Sequence, residues 1–181
     1  MTLPTDSEPW RCSFCPYDGT RLAVLPQAEG AALPSCPRCG FVDYANPRPC
    51  VAVVVERDGR LLLARRAVAP AQGLWDLPGG FLEAGETAEA GVHREIREET
   101  GLAVRLVRYL GSFPDTYGPR RLPTLNLAFV VAVASGRPQA ASDVAALAWF
   151  GPGEIPRPLA FPHQEQVVRA WERGTGLLPG G

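Results

Sequence analysis

Residues 80–102, GFLEAGETAEAGVHREIREETGL, crowd carboxylates onto one edge of a short helix, and that edge demands a positive counter-charge. Thr87 supplies an N-cap oxygen for the first orphan amides. Residues 88–100 are good or acceptable helix formers apart from Gly91, and Gly101 suits the left-handed position after the last turn. The pattern predicts a helix of about 13 residues. At about 100° per residue, with Glu95 at zero, Glu98 falls at about 300° and Glu99 at about 40°, so the three carboxylates share an arc of about 100°. Arg94, one turn before Glu98, can orient a carboxylate, while Val92 and Ile96 form the core-facing stripe.

Like charges at this spacing destabilise a helix by about 0.2–0.5 kcal/mol per pair, and Glu83 and Glu86 add negative charge just upstream. A set of carboxylate oxygens suits a hard cation such as Mg2+ or Mn2+, which shares its coordination with waters and substrate phosphates. The other reading of a Glu-rich helix is a solvated charged face.

The flanking pattern decides between the two. Gly80, Glu86, Arg94, Glu95, Ile96, Glu98, Glu99, Gly101 and Leu102 stand at the spacing G-x5-E-x7-R-E-x2-E-E-x-G plus an aliphatic residue, which resembles the Nudix hydrolase signature with no position missing. The resemblance implies hydrolysis of a nucleoside diphosphate linked to another moiety: water, made acidic by the ion, attacks one phosphorus and gives two phosphate monoesters. Carried over by position, Glu95 and Glu99 match the principal metal ligands and Glu98 a further ligand or water contact. Arg94 matches the residue that orients the glutamates, and Glu86 a structural or secondary metal contact. The Gly79-Gly80 backbone permits close approach, and a carbonyl there is a frequent extra ligand in the family. Which carboxylate is the general base varies among Nudix enzymes. Gly91 stands where the family usually has alanine; it costs about 0.5–1 kcal/mol in a helix interior, and packing against the Gly79-Gly80 loop is the expected reason.

At 181 residues and 46% hydrophobic content, the chain can bury one α/β core and carry a small appended module. A net charge of −1 gives no case for a broad nucleic-acid or membrane surface. The first residues, MTLPTDSEPW, lack a basic stretch followed by an apolar one, and no apolar run approaches membrane-spanning length, so a cytoplasmic location is expected.

Cys12-Ser-Phe-Cys15 and Cys36-Pro-Arg-Cys39 form two CxxC knuckles 20 residues apart, the four-thiolate pattern suited to a closed, structural Zn2+ site. A disulfide pair would need an oxidising compartment, and a redox CxxC needs no matched second pair. Cys50, at the start of an apolar run, reads as a small buried hydrophobe. The stretch FVDYANPRPCVAVVVE resembles the linker and first strand of Nudix proteins with an N-terminal zinc ribbon, a group that includes NADH pyrophosphatases. Asn46-Pro47-Arg48-Pro49 punctuates the boundary. The expected division is a zinc ribbon at 1–46, a Nudix hydrolase domain at 47–176 and a flexible tail at 177–181.

In the second domain, 50–56 and 61–65 read as a hairpin about Asp58-Gly59, and 75–77 lead into Pro78-Gly79-Gly80. Strands at 103–111, 125–134 and 146–150 and a closing helix at 163–173 complete an order matching the α/β/α sandwich of the Nudix fold.

Substrate choice is less constrained. The NADH pyrophosphatase group carries an SQPWPFPxS array after the signature, and this chain has RYLGSFPDTYGPRRLPTLNLAF instead. Pro119 and Tyr117 stand 17 and 15 residues after Leu102, so the proline and tyrosine markers of ADP-sugar and dinucleoside polyphosphate hydrolases do not discriminate. An ADP-ribose-like nucleotide sugar ranks first, a dinucleotide such as NADH second, and nucleoside triphosphates below both. The connection 112–124 is the expected recognition segment, with Phe113 and Tyr117 stacking on a base and Arg120 or Arg121 reaching phosphate or ribose. Arg65 and Arg66 read either as further phosphate candidates or as solvated strand-end charges, whereas Trp75 and His163 read as structural.

A nucleotide-sensing or binding module is the alternative of another class. Such modules commonly lose the signature glutamates, which are all present here. The ribbon segment sets Arg11, Arg21 and Arg38 against Asp6, Glu8, Asp18, Glu29 and Asp43, without a basic stripe, so no extended nucleic-acid surface is expected. A small-molecule nucleotide is the expected partner, and a homodimer is compatible with the resemblance.

Overall fold

The structure, a computed structural model, describes residues 11–27, 30 and 32–174; the expected tail at 177–181 lies outside them. By internal contacts the chain divides into two compact units, residues 1–48 with 116–123 and residues 49–115 with 124–181.

In the first unit, β1 (Ala23–Pro26) pairs antiparallel with β2 (Ala32–Ser35). Its small core is Cys15, Leu22 and Cys36, with Phe41 packed against them. Among the described residues these three buried side chains give little apolar area for a segment of this size.

The second unit is built on a six-stranded sheet of order β5-β4-β3-β7-β6, with β8 pairing on β4. The strands are β3 (Arg48–Arg57), β4 (Arg60–Arg66), β5 (Trp75–Asp76), β6 (Ala103–Tyr117), β7 (Leu122–Ser135) and β8 (Val144–Phe150). Asp58 and Gly59, at φ 52° and 70°, make the tight turn between β3 and β4 that the Asp-Gly pair predicts.

Helices α1 (Ala88–Thr100) and α2 (Pro162–Glu172) cover opposite faces, giving the expected α/β/α sandwich. Alternation along the strands shows how. Val51, Val53, Val55, Leu62, Phe129 and Val131 pack with Val92 and Ile96 of α1. Val54, Leu61, Leu63, Ala128 and Val130 pack with Val167, Val168 and Trp171 of α2. A strand buried on both sides needs no polar face, which explains the unbroken run CVAVVV. Each such side chain contributes about 1.5–3 kcal/mol by leaving water.

One expectation changes here. Residues 112–124 are not a long connection: β6 runs on to Tyr117 and β7 begins at Leu122. The turn between them closes with Arg121 N–H on the Gly118 carbonyl at 3.0 Å, and Gly118 and Arg121 have positive φ. Pro114 obscured the strand in the sequence, but β6 is an edge strand, where proline's missing amide does no harm. The tip of this hairpin, 116–123, groups with the N-terminal segment, so the first unit is not one continuous stretch. Among the described residues no helix is long and apolar enough to cross a membrane.

Candidate active site

Helix α1 begins as its sequence predicts: Thr87 is extended and its Oγ1 accepts from Ala90 N–H at 3.2 Å. It ends on Gly101 at φ 69°, whose amide caps the Arg97 carbonyl at 3.0 Å. Val92 and Ile96 point into the core, so Glu95, Glu98 and Glu99 are carried along the helix edge where core meets surface.

Arg94 organises this edge. Its Nε and Nη2 grip both oxygens of Glu86 at 2.9 Å, Nη1 reaches Glu95 Oε1 at 2.9 Å and Glu98 Oε2 at 3.2 Å, and Nη2 also binds the Phe81 carbonyl at 3.0 Å. One planar guanidinium thus fixes three carboxylates and the segment leaving the glycine turn, which a lysine's point charge could not do. The bidentate bond to Arg94, with the Glu83 amide, holds the Glu86 carboxyl down at about 2.

Facing this edge is the segment 78–82, laid along β3. Val51 and Val53 amides donate to the Gly80 and Pro78 carbonyls at 2.9 and 2.8 Å, and Leu82 N–H binds the Pro49 carbonyl at 3.1 Å. The two glycines are required for different reasons. A Cβ on Gly79, at φ 144°, would sit 2.2 Å from the Val51 carbonyl oxygen, whereas a Cβ on Gly80 would sit 2.5 Å from Glu95 Oε1. Gly91 is also closely packed, but against Leu82 (2.4 Å) and Glu86 (3.2 Å); the Gly79-Gly80 loop is not its neighbour. A methyl group would fill the space that the Leu82 side chain takes.

Charge is unbalanced in this cluster. Among the described residues Glu86, Glu95, Glu98 and Glu99 have one guanidinium among them, and Glu99 is held by the Gly79 N–H at 3.1 Å. Burial pushes the Glu99 carboxyl up to about 9, opposed by the Gly79 amide and reinforced by the charges of Glu95, Asp76 and Asp143. Glu95 is raised as well, first by burial, with Arg94 pulling the other way. Two acids held above their ordinary range, beside an exposed third, form an all-oxygen set that fits a hard divalent cation.

Behind Glu99 lie residues that sequence reasoning missed. Asp76 is buried, accepts Arg66 Nη1 at 2.8 Å, and is bound by the Gln164 amide of α2. Burial raises its carboxyl despite Arg66 and Gln164. Asp115 of β6 accepts both the backbone N–H of His163 (3.0 Å) and its ring Nδ1 (2.7 Å), capping α2 from another element. His163 therefore has a partner and is buried, and burial lowers its basicity against the pull of Asp115. The lone acid in an otherwise apolar Trp-Asp-Leu was the available signal for Asp76; nothing local marks Asp115.

The expected substrate residues fall in both units. Arg65 Nε binds the Gly73 carbonyl at 3.0 Å. Arg66 binds Asp76 and the Pro70 carbonyl, and lies 5.2 Å over the Phe161 ring. Phe113 packs half-buried against the α2-side core. Tyr117, Arg120 and Arg121 lie in the hairpin tip of the first unit. Trp75 is structural as read: it packs on the α2-side core and its ring meets Phe150 edge-on at 5.1 Å.

In the first unit, ligand atoms of Cys15, Asp18, Cys36 and Cys39 lie within 4.8 Å of one another. Cys15 and Cys39 Sγ are 3.5 Å apart, close to the edge of about 3.8 Å that a tetrahedral site with metal–sulfur bonds of about 2.3 Å requires. Burial pushes the Cys15 thiol up to about 11. Cys36 is lowered: burial opposes, but the Cys39 and Arg38 amides outweigh it. Cys12, expected as the fourth ligand, is exposed and outside this group, while Asp18, which sequence reading did not choose, is inside it. Cys50 is buried, as expected.

Residues 46–171 match the NUDIX domain family. The chain belongs to the Nudix family. This Nudix chain is 35% identical over 130 residues to an ADP-ribose pyrophosphatase of Methanocaldococcus jannaschii, covering 72% of this chain and 76% of that one. It is 37% identical over 161 residues to the NAD-capped RNA hydrolase NudC of Chromobacterium violaceum, covering 83% of this chain and 56% of that protein, so it spans little more than half the length of that relative. A crystal structure of a NUDIX hydrolase from Nitrosomonas europaea superposes with a TM-score of 0.72 at 26% identity, covering 90% of this chain and 93% of that one.

Proposed function

We propose that this Nudix hydrolase cleaves the pyrophosphate bond of a nucleoside diphosphate joined to a second moiety, with ADP-ribose or a similar nucleotide sugar as first substrate. The observation that carries the chemistry is the single guanidinium shared by Glu86, Glu95 and Glu98, with Glu99 held from the other side by Gly79. The substrate class leans on the ADP-ribose pyrophosphatase relative, whose length this chain covers to 76%.

Glu95, Glu98 and Glu99 would hold Mg2+ or Mn2+, with the Gly79-Gly80 backbone alongside; the Gly80 carbonyl itself is engaged by Val51. Bound there, the cation would acidify water and neutralise charge on the phosphates. Arg94 keeps three carboxylates aimed in the meantime, and Glu86, ionised at any working pH, keeps Arg94 in place. Buried Glu95 and Glu99 sit in a medium where their charge acts strongly on a cation, and preorganisation of this kind is the main source of transition-state stabilisation in phosphoryl chemistry.

A dinucleotide such as NADH is the second reading, favoured by the alignment to a NAD-capped RNA hydrolase over 83% of the chain. A catalytically silent binding module is disfavoured by the full set of signature carboxylates. In the first unit we assign Zn2+ a structural role, with Cys15, Cys36 and Cys39 as thiolate ligands and Cys12 or Asp18 as the fourth.

The test is product identity across ADP-ribose, other nucleotide sugars, NADH, dinucleoside polyphosphates and nucleoside triphosphates with Mg2+ or Mn2+. AMP and ribose 5-phosphate from ADP-ribose at the highest kcat/KM is the expected result. Turnover of none of them would sink the enzymatic reading.

A further inference from the structure

Arg66 and Asp76 form an ion pair whose side chains are only 12% and 11% exposed, with Nη1 and Oδ2 2.8 Å apart. Arg66 is needed there for the loop after β4: its Nε holds the Pro70 carbonyl at 2.7 Å, and its guanidinium lies over Phe161. Asp76 is anchored in turn by the Gln164 amide, whose own Oε1 has no hydrogen-bond partner among the described residues, so the carboxylate orients the amide. Beside the pair is a cavity of about 10 Å³, room for about one water, whose polar walls are Arg66, Asp76, Asp143 and Glu99.

Arg66 and three acidic residues, Asp76, Asp143 and Glu99, thus line one small pocket, and of the three Asp76 is the one ion-paired to the guanidinium. A guanidinium stays charged at any pH at which the protein is folded, and its planar fork takes whichever carboxylate is offered. If Asp76 were absent, Glu99 would be a neighbouring acceptor for Arg66, and an Arg66–Glu99 pair would occupy a carboxylate needed elsewhere. A buried ion pair is seldom kept for stability alone, since apolar residues of like volume pack as well.

We propose that Asp76 is a positioning residue that holds Arg66 off Glu99 and so leaves the Glu99 carboxylate open to a divalent cation. The inference rests on Glu99 being a cation ligand, as assigned above. It gives a buried aspartate outside the signature a share in the metal site without contact to metal or substrate.

The experiment measures Mn2+ binding to the full chain from the EPR signal of free Mn2+, with melting monitored by circular dichroism. Asp76→Asn should weaken Mn2+ binding by about tenfold or more, and adding Arg66→Met should bring it back to within about threefold of wild type. Arg66→Met alone should bind within about threefold of wild type, because the competitor is gone. If Asp76→Asn does not fold, Asp76→Ser carries the test, since it likewise removes the charge that holds Arg66, and the same rescue is expected. Wild-type Mn2+ binding in the Asp76 variant, or a loss that Arg66→Met deepens or leaves unchanged, overturns the proposal. Glu99→Gln separates the two levels: if it binds Mn2+ as wild type does, the ligand assignment fails, and with it the premise.

Discussion

The backbone amide of Gly79 donates to the Glu99 carboxylate at 3.1 Å, tying the glycine turn after β5 to the last turn of α1. Twenty residues of chain close on one hydrogen bond, and they do so where a side chain at position 79 would strike the Val51 carbonyl. The same bond turns one Glu99 carboxylate oxygen toward the loop.

Removing a ligand charge while keeping shape should disable catalysis. Glu95→Gln and Glu99→Gln should each lower kcat by about two orders of magnitude or more with little change in fold, since transition-state charge stabilisation is lost. Glu89→Gln, on the exposed face of the same helix, serves as the control and should turn over as wild type. Near wild-type kcat at saturating Mg2+ in either ligand variant contradicts the assignment.

Metal binding should release a proton and tighten with pH. Burial raises Glu99 from 4.5 to about 9 in the metal-free chain, so between those values the folded state holds a proton that the unfolded state has lost. This group's contribution to metal-free stability is full below 4.5 and falls as pH rises toward about 9. A cation needs the ionised form, so Mn2+ affinity should rise by up to about tenfold per pH unit across roughly pH 6 to 9. Calorimetry in buffers of different ionisation enthalpy counts the protons; Glu99→Gln should flatten the dependence, and equal heats in all buffers for the wild type would refute it.

The neighbouring glycines should fail in different ways. Gly79→Ala meets backbone at 2.2 Å and needs an unfavourable φ, so it should lower stability by about 2 kcal/mol or more, seen as a drop in Tm. Gly80→Ala meets the end of a flexible side chain, so it should fold near normally but displace Glu95 and lose about tenfold or more in kcat. Thermal melts and kinetics on both variants distinguish this from a shared packing role.

The two proposed metals should separate by ligand chemistry. Brief EDTA treatment and desalting should abolish activity while zinc stays on thiolates, and Mg2+ alone should restore turnover. Elemental analysis should find about one zinc per chain, and none after replacing Cys36 and Cys39 by serine. Cys12→Ser and Asp18→Ala identify the fourth ligand, because only the variant lacking it should lose zinc to a competing chelator. Protein that never contains zinc would refute the assignment.

Much of the candidate site was legible because it is local. Cap, helix length, stripe and the glutamate spacing all lie within one 23-residue segment, where helical periodicity alone decides which side chains share a side. The NUDIX family and the α/β/α order follow from that segment and from the alternation of apolar runs around it. Where pattern met an ambiguous signal it misled: Pro114 hid the length of β6, and Gly91 was paired with the wrong neighbour.

What only the tertiary structure decided are pairings across long sequence distance. Arg66 is ten residues from Asp76, Asp76 is 88 from Gln164, and Asp115 is 48 from His163. No period links such positions, because β5 and the start of α2 meet only once the sheet has formed and α2 has buried Val167, Val168 and Trp171 against it. The sequence by itself determined which groups are acidic, which are apolar and which backbone positions must be glycine. Packing decided which charges left water together, and so gave Arg66 a buried aspartate as partner.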